Sequence, residues 1–218
     1  MSLKVDYVAD LNDGWSALNF VALQLAVADV GGIVVDLEWR PYEQYPDLPP
    51  EGLPIAEHFA RNFGAGDSTA SKTRDALRAW AAELDFDGYR PELRERAYST
   101  FNAHRLLRWA LAVGGSQAQQ ALATALLRLT LCEGGDVSSH EALLTKADDL
   151  GLDVEAARAM LASDAYAAEV KQLEGEYRAM GIDTVPVLLI EGKLVSHGSQ
   201  SPEFYAHLIR QAAATPAA

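Results

Sequence analysis

The placement of the β-strand patterns constrains the fold of this chain more than any other feature of its sequence. Short segments with β-strand character occur near the two ends, at residues 5–9, 33–39, 187–190 and 194–196. Between the second and third of these segments, apolar residues recur at helical spacing over a long stretch. Because a sheet needs several paired strands to bury one face, the two ends of the chain must meet.

The two ends complement each other as parts of one sheet. The first end has a strand, a helix over 16–30 and a second strand, which together form a βαβ unit with an expected right-handed crossover. The last end has a β-hairpin and then a helix, which Ser201 caps and Pro202 begins.

We therefore predict an α/β fold with a mixed four-stranded sheet and a large inserted helical subdomain. Residues 3–54 and 181–214 would form the discontinuous sheet domain, and residues 55–180 would form the insertion. Within the insertion, helical periodicity predicts helices at 55–63, 69–85, 92–113, 117–133, 139–149, 153–161 and 164–180.

The charge of the chain excludes several classes of partner. Thirty-one acidic and eighteen basic residues give a net charge of −13. Such a field repels nucleic-acid backbones and anionic membrane surfaces, so neither is an expected partner. No apolar run approaches the roughly 20 residues that span a bilayer, and no basic segment followed by an apolar one begins the sequence. We expect a cytoplasmic protein whose oligomeric state the sequence leaves open.

Cysteine use is minimal. Cys132 is the one cysteine in the sequence, so an intramolecular disulfide cannot form and no thiolate cluster is present for a metal. We expect no metal site. Cys132 follows a strongly apolar helical stretch, which predicts a buried and unreactive thiol.

Four strings spread along the chain resemble one known family. They are Val5-Asp6-Tyr7-Val8-Ala9-Asp10, the segment from Trp39 to Gly52, Asn102-Ala103-His104-Arg105-Leu106, and Thr184-Val185-Pro186 with the later Gly198-Ser199-Gln200. In this order they resemble DsbA-type thioredoxin-fold proteins, in particular the FrnE-like branch. The resemblance extends more distantly to 2-hydroxychromene-2-carboxylate isomerases and kappa-class glutathione transferases. It implies a thioredoxin-like sheet with a helical insertion.

The chain departs from that family at the start of the first helix. Where the family has Cys-x-x-Cys, this chain has Asp13-Gly14-Trp15-Ser16. Thiol–disulfide exchange needs an attacking thiolate and a second thiol that resolves the mixed disulfide. Neither a carboxylate nor a hydroxyl performs those steps, so we do not carry the family's dithiol chemistry to these positions.

The candidate site residues begin with this altered motif. Asp13 is a helix cap and also a candidate catalytic carboxylate, with Ser16 as a second polar group. The resemblance implies a cis peptide bond between Val185 and Pro186, whose exposed backbone would pair with a peptide or with glutathione. Trp15 would form an apolar wall beside that loop or belong to the core.

Two further positions follow from the resemblance. Ser199 and Gln200 precede the last helix, where glutathione-using relatives bind the γ-glutamyl end of their ligand. His104 is an acid–base candidate if its helix covers the site, with a hydrogen-bonded core histidine as the alternative. The neighbouring Arg105 is expected on the surface.

Three functions remain open at this stage. The first is a divergent family member that binds a small thiol compound or a peptide without dithiol turnover. The second is a glutathione-dependent isomerase or transferase in which Asp13 or Ser16 acts near the glutathione sulfur. The third is a conventional disulfide oxidoreductase, which the missing cysteines oppose. No cofactor is required by the first function, and glutathione is the candidate ligand.

Overall fold

The computed structural model describes residues 2–64 and 67–215. Its elements in chain order are β1 (Leu3–Ala9), α1 (Gly14–Asp29), β2 (Val35–Pro41), β3 (Leu53–Pro54), α2 (Ile55–Phe63), α3 (Asp67–Glu83), a 3-10 turn (Pro91–Leu93), β4 (Arg96–Ala97), α4 (Phe101–Leu131), α5 (His140–Asp149), α6 (Val154–Leu161), α7 (Ala167–Ala179), β5 (Val187–Ile190), β6 (Lys193–His197) and α8 (Pro202–Ala214).

The two ends of the chain build one mixed sheet, as predicted. The strand order in the described residues is β2-β1-β5-β6. Strands β1 and β2 run parallel with Leu3 opposite Val35, whereas β5 lies antiparallel to β1 with Val8 opposite Val187. Strand β6 then pairs antiparallel with β5. The helical stretch between β2 and β5 is therefore an insertion into a sheet that needs both termini.

An aromatic cluster lies at the centre of the core. Tyr7 of β1, Phe20 of α1 and Trp39 of β2 have ring centroids 5.2 to 5.5 Å apart and are almost fully buried. Strand β1 supplies the centre of this packing because its side chains alternate between two covered faces of the sheet. The cluster fixes α1 against β1 and β2, and thereby fixes the position of its first turn.

The segment before α4 corrects the predicted helix over 92–113. The helix begins at Phe101, and the residues before it form the 3-10 turn and the short strand β4. Strand β4 pairs with β3, with Leu53 opposite Ala97. Pro91 favours a turn here, and the backbone N–H of Ile55 binds the carbonyl of Glu95 at 2.8 Å, so the backbone is extended for pairing.

Two further boundaries differ from the prediction. The helices predicted at 92–113 and 117–133 are continuous in α4 except at Gly115, whose φ of 70° and ψ of −173° break the helical geometry. Only glycine adopts this conformation easily, so the predicted break is present as a kink. Strand β2 begins at Val35, two residues later than predicted.

Among the helices in the described part of the chain, none is long and apolar enough to cross a membrane.

Candidate functional site

The candidate site lies where β1 ends and β5 begins. The pairing of Val8 with Val187 places Pro186 beside Ala9, so the turn after β1 and the loop before β5 share one end of the sheet. The Val185–Pro186 bond is cis, and the Pro186 carbonyl accepts a hydrogen bond from the Gly198 N–H at 2.9 Å. We call the surface between residues 10–13 and residues 185–186 the groove.

Asp13 occupies the head of α1. Its carboxylate accepts the backbone N–H groups of Trp15 at 3.3 Å and Ser16 at 2.8 Å, and also the Ser16 hydroxyl at 2.8 Å. Burial raises the pKa of Asp13 to about 6, against the opposing effect of the bonds from Ser16. The negative charge of Asp10 raises this pKa further. Asp13 is therefore the helix cap and also a carboxyl group that titrates near neutral pH.

Ser16 and Trp15 occupy different environments. Ser16 is fully buried, and its carbonyl accepts the Tyr7 hydroxyl at 2.5 Å. Trp15 is partly buried against the main core, with its ring 5.8 Å from that of Trp80 in α3. Trp15 thus joins the head of α1 to the helical insertion.

Ser199 and Gln200 are held by a buried asparagine of α1. The Asn19 side chain donates to the Ser199 hydroxyl at 3.0 Å and accepts the Gln200 N–H at 2.9 Å. It also accepts the Tyr205 hydroxyl at 2.8 Å and donates to the Trp15 carbonyl at 2.8 Å. The Gln200 N–H is occupied by Asn19, whereas the exposed Ser199 hydroxyl keeps its own proton for donation.

His104 lies beneath the turn that leads to Asp13. The imidazole is completely buried, and its Nε2 atom lies 3.8 Å from the Asp10 carboxylate. His104 is thus a core histidine, as the alternative expected, but neither ring nitrogen has a hydrogen-bond partner among the described residues and its contact with Asp10 is electrostatic. Burial opposes ionisation of Asp10, yet His104 and the N–H groups of Gln44 and Asn12 hold its pKa below the usual value.

A second buried carboxyl belongs to Glu43, which follows β2. Burial raises the pKa of Glu43 to about 7, and the charge of Glu174 adds to this rise while that of His104 opposes it. The Ser99 hydroxyl donates to the carboxylate at 3.1 Å. A cavity of about 500 Å³ lies beside Glu43 and the approach to the cis bond, lined in part by Tyr42, Arg178 and Asp183. None of the groove residues 10–13 and 185–186 lines this cavity.

The insertion adds site residues that the sequence analysis missed. The Arg94 guanidinium donates to the carbonyl of Asn12 at 2.8 Å and to its side-chain oxygen. A Cβ atom on Gly14 would lie 3.4 Å from the Tyr89 hydroxyl, so this hydroxyl adjoins the first turn of α1. Burial raises the pKa of Tyr89 to about 12, and the negative charge of Asp13 adds to the rise.

Tyr45, which precedes the insertion, and His58 of α2 also lie near Arg94. Their rings meet edge to face at 4.4 Å, and burial with the positive charge of Arg94 lowers the pKa of His58 to about 4. The sequence pattern of a helical insertion does not show which distant segment its polar side chains contact. The turn-rich composition around residues 85–98 was the one available indication that this segment is not helix.

The structure also shows where Arg105 and Cys132 lie, for which the sequence analysis made predictions. Arg105 is buried, contrary to the expectation of a surface arginine, because its guanidinium donates to the carbonyl of Met160 in the last turn of α6 and to those of Ser163 and Ala165 after it. Cys132 ends α4 and is half-buried, and burial raises its thiol pKa.

Within residues 2–64 and 67–215, no group of three or more His, Cys, Asp or Glu side chains is arranged to hold a metal.

Solved structures similar to this one share its whole architecture. A probable DsbA oxidoreductase from Streptomyces coelicolor is 29% identical with a TM-score of 0.84, over 99% of this chain and 93% of that chain. A 2-hydroxychromene-2-carboxylate isomerase is 16% identical with a TM-score of 0.70, over 96% and 98%. The cytosolic disulfide reductase DsbM from Pseudomonas aeruginosa, with GSH, is 17% identical with a TM-score of 0.62, over 96% and 98%.

The sequence itself matches a family model. No curated protein matches the chain. The model for the DSBA-like thioredoxin domain matches residues 4–210, which is nearly all of it, and confirms the thioredoxin-like fold and the family resemblance. The chain therefore belongs to the DSBA-like thioredoxin domain family, whose structural relatives include oxidoreductases and an isomerase.

Proposed function

We propose that this chain is a divergent, FrnE-like member of its family that binds a small thiol compound or a peptide in the groove without dithiol turnover. One observation carries the proposal: the Asp13 carboxylate occupies the amides at the head of α1. In thiol enzymes those amides and the helix dipole stabilise a cysteine thiolate. Here they already bind a carboxylate of the chain, and the cis Val185–Pro186 bond lies at the same end of the sheet, where both residues are buried.

Glutathione is the ligand we propose first. The structure of the disulfide reductase from P. aeruginosa contains GSH, and it shares this chain's fold over nearly its full length. The Ser199 hydroxyl is exposed just before the N-terminal end of α8, where the helix dipole favours a ligand carboxylate. No cofactor is needed for binding of this kind. We also keep the cytoplasm as the proposed location, since glutathione maintains thiols in the reduced state there.

Thermal denaturation with ligand tests the proposal. Reduced glutathione, S-methylglutathione and a short cysteine-containing peptide would each be titrated against the protein. A bound ligand at a hundred times its dissociation constant stabilises the fold by about 2.7 kcal/mol. We expect Ser199→Ala to weaken the glutathione effect, while Ser138→Ala, in a loop remote in sequence from the groove, leaves it unchanged. Absence of any shift with all three ligands contradicts the proposal.

A glutathione-dependent isomerase or transferase is the second candidate. The observation that favours it is the Asp13 carboxyl, whose pKa of about 6 and proximity to the insertion suit proton transfer near neutral pH. An acid–base carboxyl here would take a proton from the bound thiol, leaving a thiolate as the nucleophile. Glutathione-dependent conjugation of an electrophilic nitrobenzene, lost in Asp13→Asn but retained in Glu83→Gln, would favour this function over simple binding.

A further inference from the structure

Hydrogen bonds join the two walls of the cavity beside Glu43. One wall is the segment after β2, with Tyr42, Glu43 and Gln44, and the other is the end of α7 and the loop after it, with Arg178, Ile182 and Asp183. The Tyr42 hydroxyl donates to the Ile182 carbonyl at 3.0 Å. The Arg178 guanidinium donates to the Glu43 carbonyl at 2.9 Å. The volume of about 500 Å³ lies in the range of small-molecule sites.

Glu43 is a buried carboxyl without an ion-pair partner. The residue is 6% exposed. One of its carboxyl oxygens accepts the Ser99 hydroxyl at 3.1 Å, and no described residue donates to the other. No basic side chain in the described part of the chain lies within ion-pair distance of this carboxyl. A carboxyl at this depth either stays neutral or requires a compensating cation.

The charged groups around Glu43 do not supply that cation. Burial raises the pKa of Glu43 to about 7, and His104 of α4 opposes this rise. The negative charges of Glu174 in α7 and Asp10 after β1 add to it. Arg178 lies 3.6 Å from the Glu174 carboxylate, and its hydrogen bond to Glu43 is to the backbone carbonyl. Arg178 is therefore already paired, whereas the Glu43 carboxyl is not.

Two further polar groups at the cavity are acceptors without a donor. The Gln44 Oε1 atom is buried and has no hydrogen-bond partner among the described residues. Asp183 is exposed and makes no ion pair within residues 2–64 and 67–215. Together with Glu43, the cavity thus has three side chains that can each accept a hydrogen bond. A primary ammonium group has three donors, no acceptor and a positive charge, so it is the complementary group.

We propose that this cavity binds a primary ammonium group, which pairs with the Glu43 carboxylate and with Asp183. The ammonium supplies the cation that Glu43 lacks, and its charge-assisted hydrogen bonds are stronger than those between neutral groups. A small alkylamine and the lysine side chain of a peptide carry the same group. The net charge of −13 attracts either of them. The site lies outside the groove, so the proposal does not depend on which ligand the groove binds.

Amide chemical shifts test for the site. Protein labelled with nitrogen-15 would be titrated with n-butylammonium and with an end-blocked Ala-Lys-Ala peptide, at constant ionic strength. The uncharged controls are n-butanol and an end-blocked Ala-norleucine-Ala peptide. We expect saturable shifts at Gln44, Gly181 and Asp183 with the ammonium compounds alone. Shifts with both compounds support a site for which the ammonium group suffices, and shifts with the peptide alone support a site for a lysine side chain. No saturable shift with either, or equal shifts with the uncharged controls, would overturn the proposal.

Variants and the titration of Glu43 test the pairing. Glu43→Gln should raise the dissociation constant of the bound ammonium compound about tenfold or more, because it removes the buried charge. Asp183→Asn should raise it by a smaller factor, and Asp148→Asn, an exposed position of α5, is the matched control and should leave it unchanged. Saturating ligand should also lower the titration midpoint of Glu43, followed by its carboxyl carbon signal, since a nearby cation favours the ionised form.

Two results would overturn the pairing. One is an unmoved Glu43 midpoint at saturating ligand, and the other is unchanged affinity in both Glu43→Gln and Asp183→Asn. If Glu43→Gln does not fold, Asp183→Asn and the wild-type midpoint still decide the matter.

Discussion

Arg94 and Asn12 are joined by two hydrogen bonds, in which one guanidinium donates to both the backbone and the side-chain oxygen of the asparagine. The Asn12 amide in turn donates to the Tyr98 carbonyl at 2.5 Å. The helical insertion is therefore fastened to the turn immediately before Asp13. The insertion therefore packs against the turn that borders the groove.

Arg94→Lys should weaken this attachment. A lysine ammonium cannot reproduce the two-pronged geometry of a guanidinium, and Asn12 is almost fully buried. We expect a loss of about 2 kcal/mol in the free energy of unfolding, measured by urea denaturation. The exposed Arg90→Lys is the matched control, with an expected change within about 0.5 kcal/mol. Equal effects of the two substitutions would show that the Asn12 bonds contribute nothing specific.

Asn19→Leu should remove the hydrogen bonds that join α1 to α8 and to the loop before it. Leucine has a similar size but leaves the Gln200 N–H and the buried Tyr205 hydroxyl without their acceptor. Since each unsatisfied buried group costs about 1–3 kcal/mol, we expect a loss of about 2–4 kcal/mol. Gln211→Leu, on the exposed face of α8, should change stability by less than about 0.5 kcal/mol. A wild-type unfolding midpoint for Asn19→Leu would refute this account of how residues 199–200 are held.

Glu43→Gln should alter the pH dependence of stability. The pKa of Glu43 is about 7 in the folded protein and ordinarily 4.5, so between these values the folded state binds more protons. Its contribution to stability therefore falls as pH rises through this range. The glutamine variant lacks this titration and keeps an acceptor for Ser99. We expect it to gain up to about 3 kcal/mol over wild type above about pH 7, relative to the difference near pH 4.5.

The control for this prediction is Glu83→Gln, a substitution of an exposed glutamate. Its stability curve should run parallel to that of the wild type from acid to neutral pH. Parallel curves for Glu43→Gln as well would mean that Glu43 is ionised in the folded protein without cost.

The sequence predicts the parts of this molecule that depend on local patterns. Glycine pairs, strand alternation and the Ser201–Pro202 cap are local, and the helices and strands they delimit are present. Strand β4 and the Arg94 contacts were missed because they depend on pairing with distant segments. The burial of Arg105 was missed for the same reason, since its partners lie 55 to 60 residues away.

The sequence predicted where the candidate site lies, but it did not predict all the residues that form it. Asp13 was identified as a cap because capping is a short-range signal, and the structure has this cap. Asn19 resembled an ordinary polar residue in an apolar helix, although it joins three elements of the fold. His104 was identified, but no spacing rule predicts a fully buried ring beside Asp10 whose nitrogens lack hydrogen-bond partners in the part of the chain that the structure describes.

Installing cysteines at Asp13 and Ser16 tests whether the chain keeps the family's geometry at this helix head. The same amides and dipole that now bind the Asp13 carboxylate would stabilise a thiolate there. We expect the double variant to form a disulfide that dithiothreitol reduces, detected by mass difference after thiol alkylation. A variant whose two thiols never pair under oxidising conditions would contradict the expected geometry.

Insulin reduction by dithiothreitol, with wild-type protein as the catalyst, tests the central claim most directly. Disulfide exchange needs an attacking and a resolving thiol, and the sequence contains Cys132 alone. The account predicts that wild type and Cys132→Ser both remain at the dithiothreitol background. Robust wild-type turnover that disappears in Cys132→Ser would contradict it and make the single cysteine the catalytic residue.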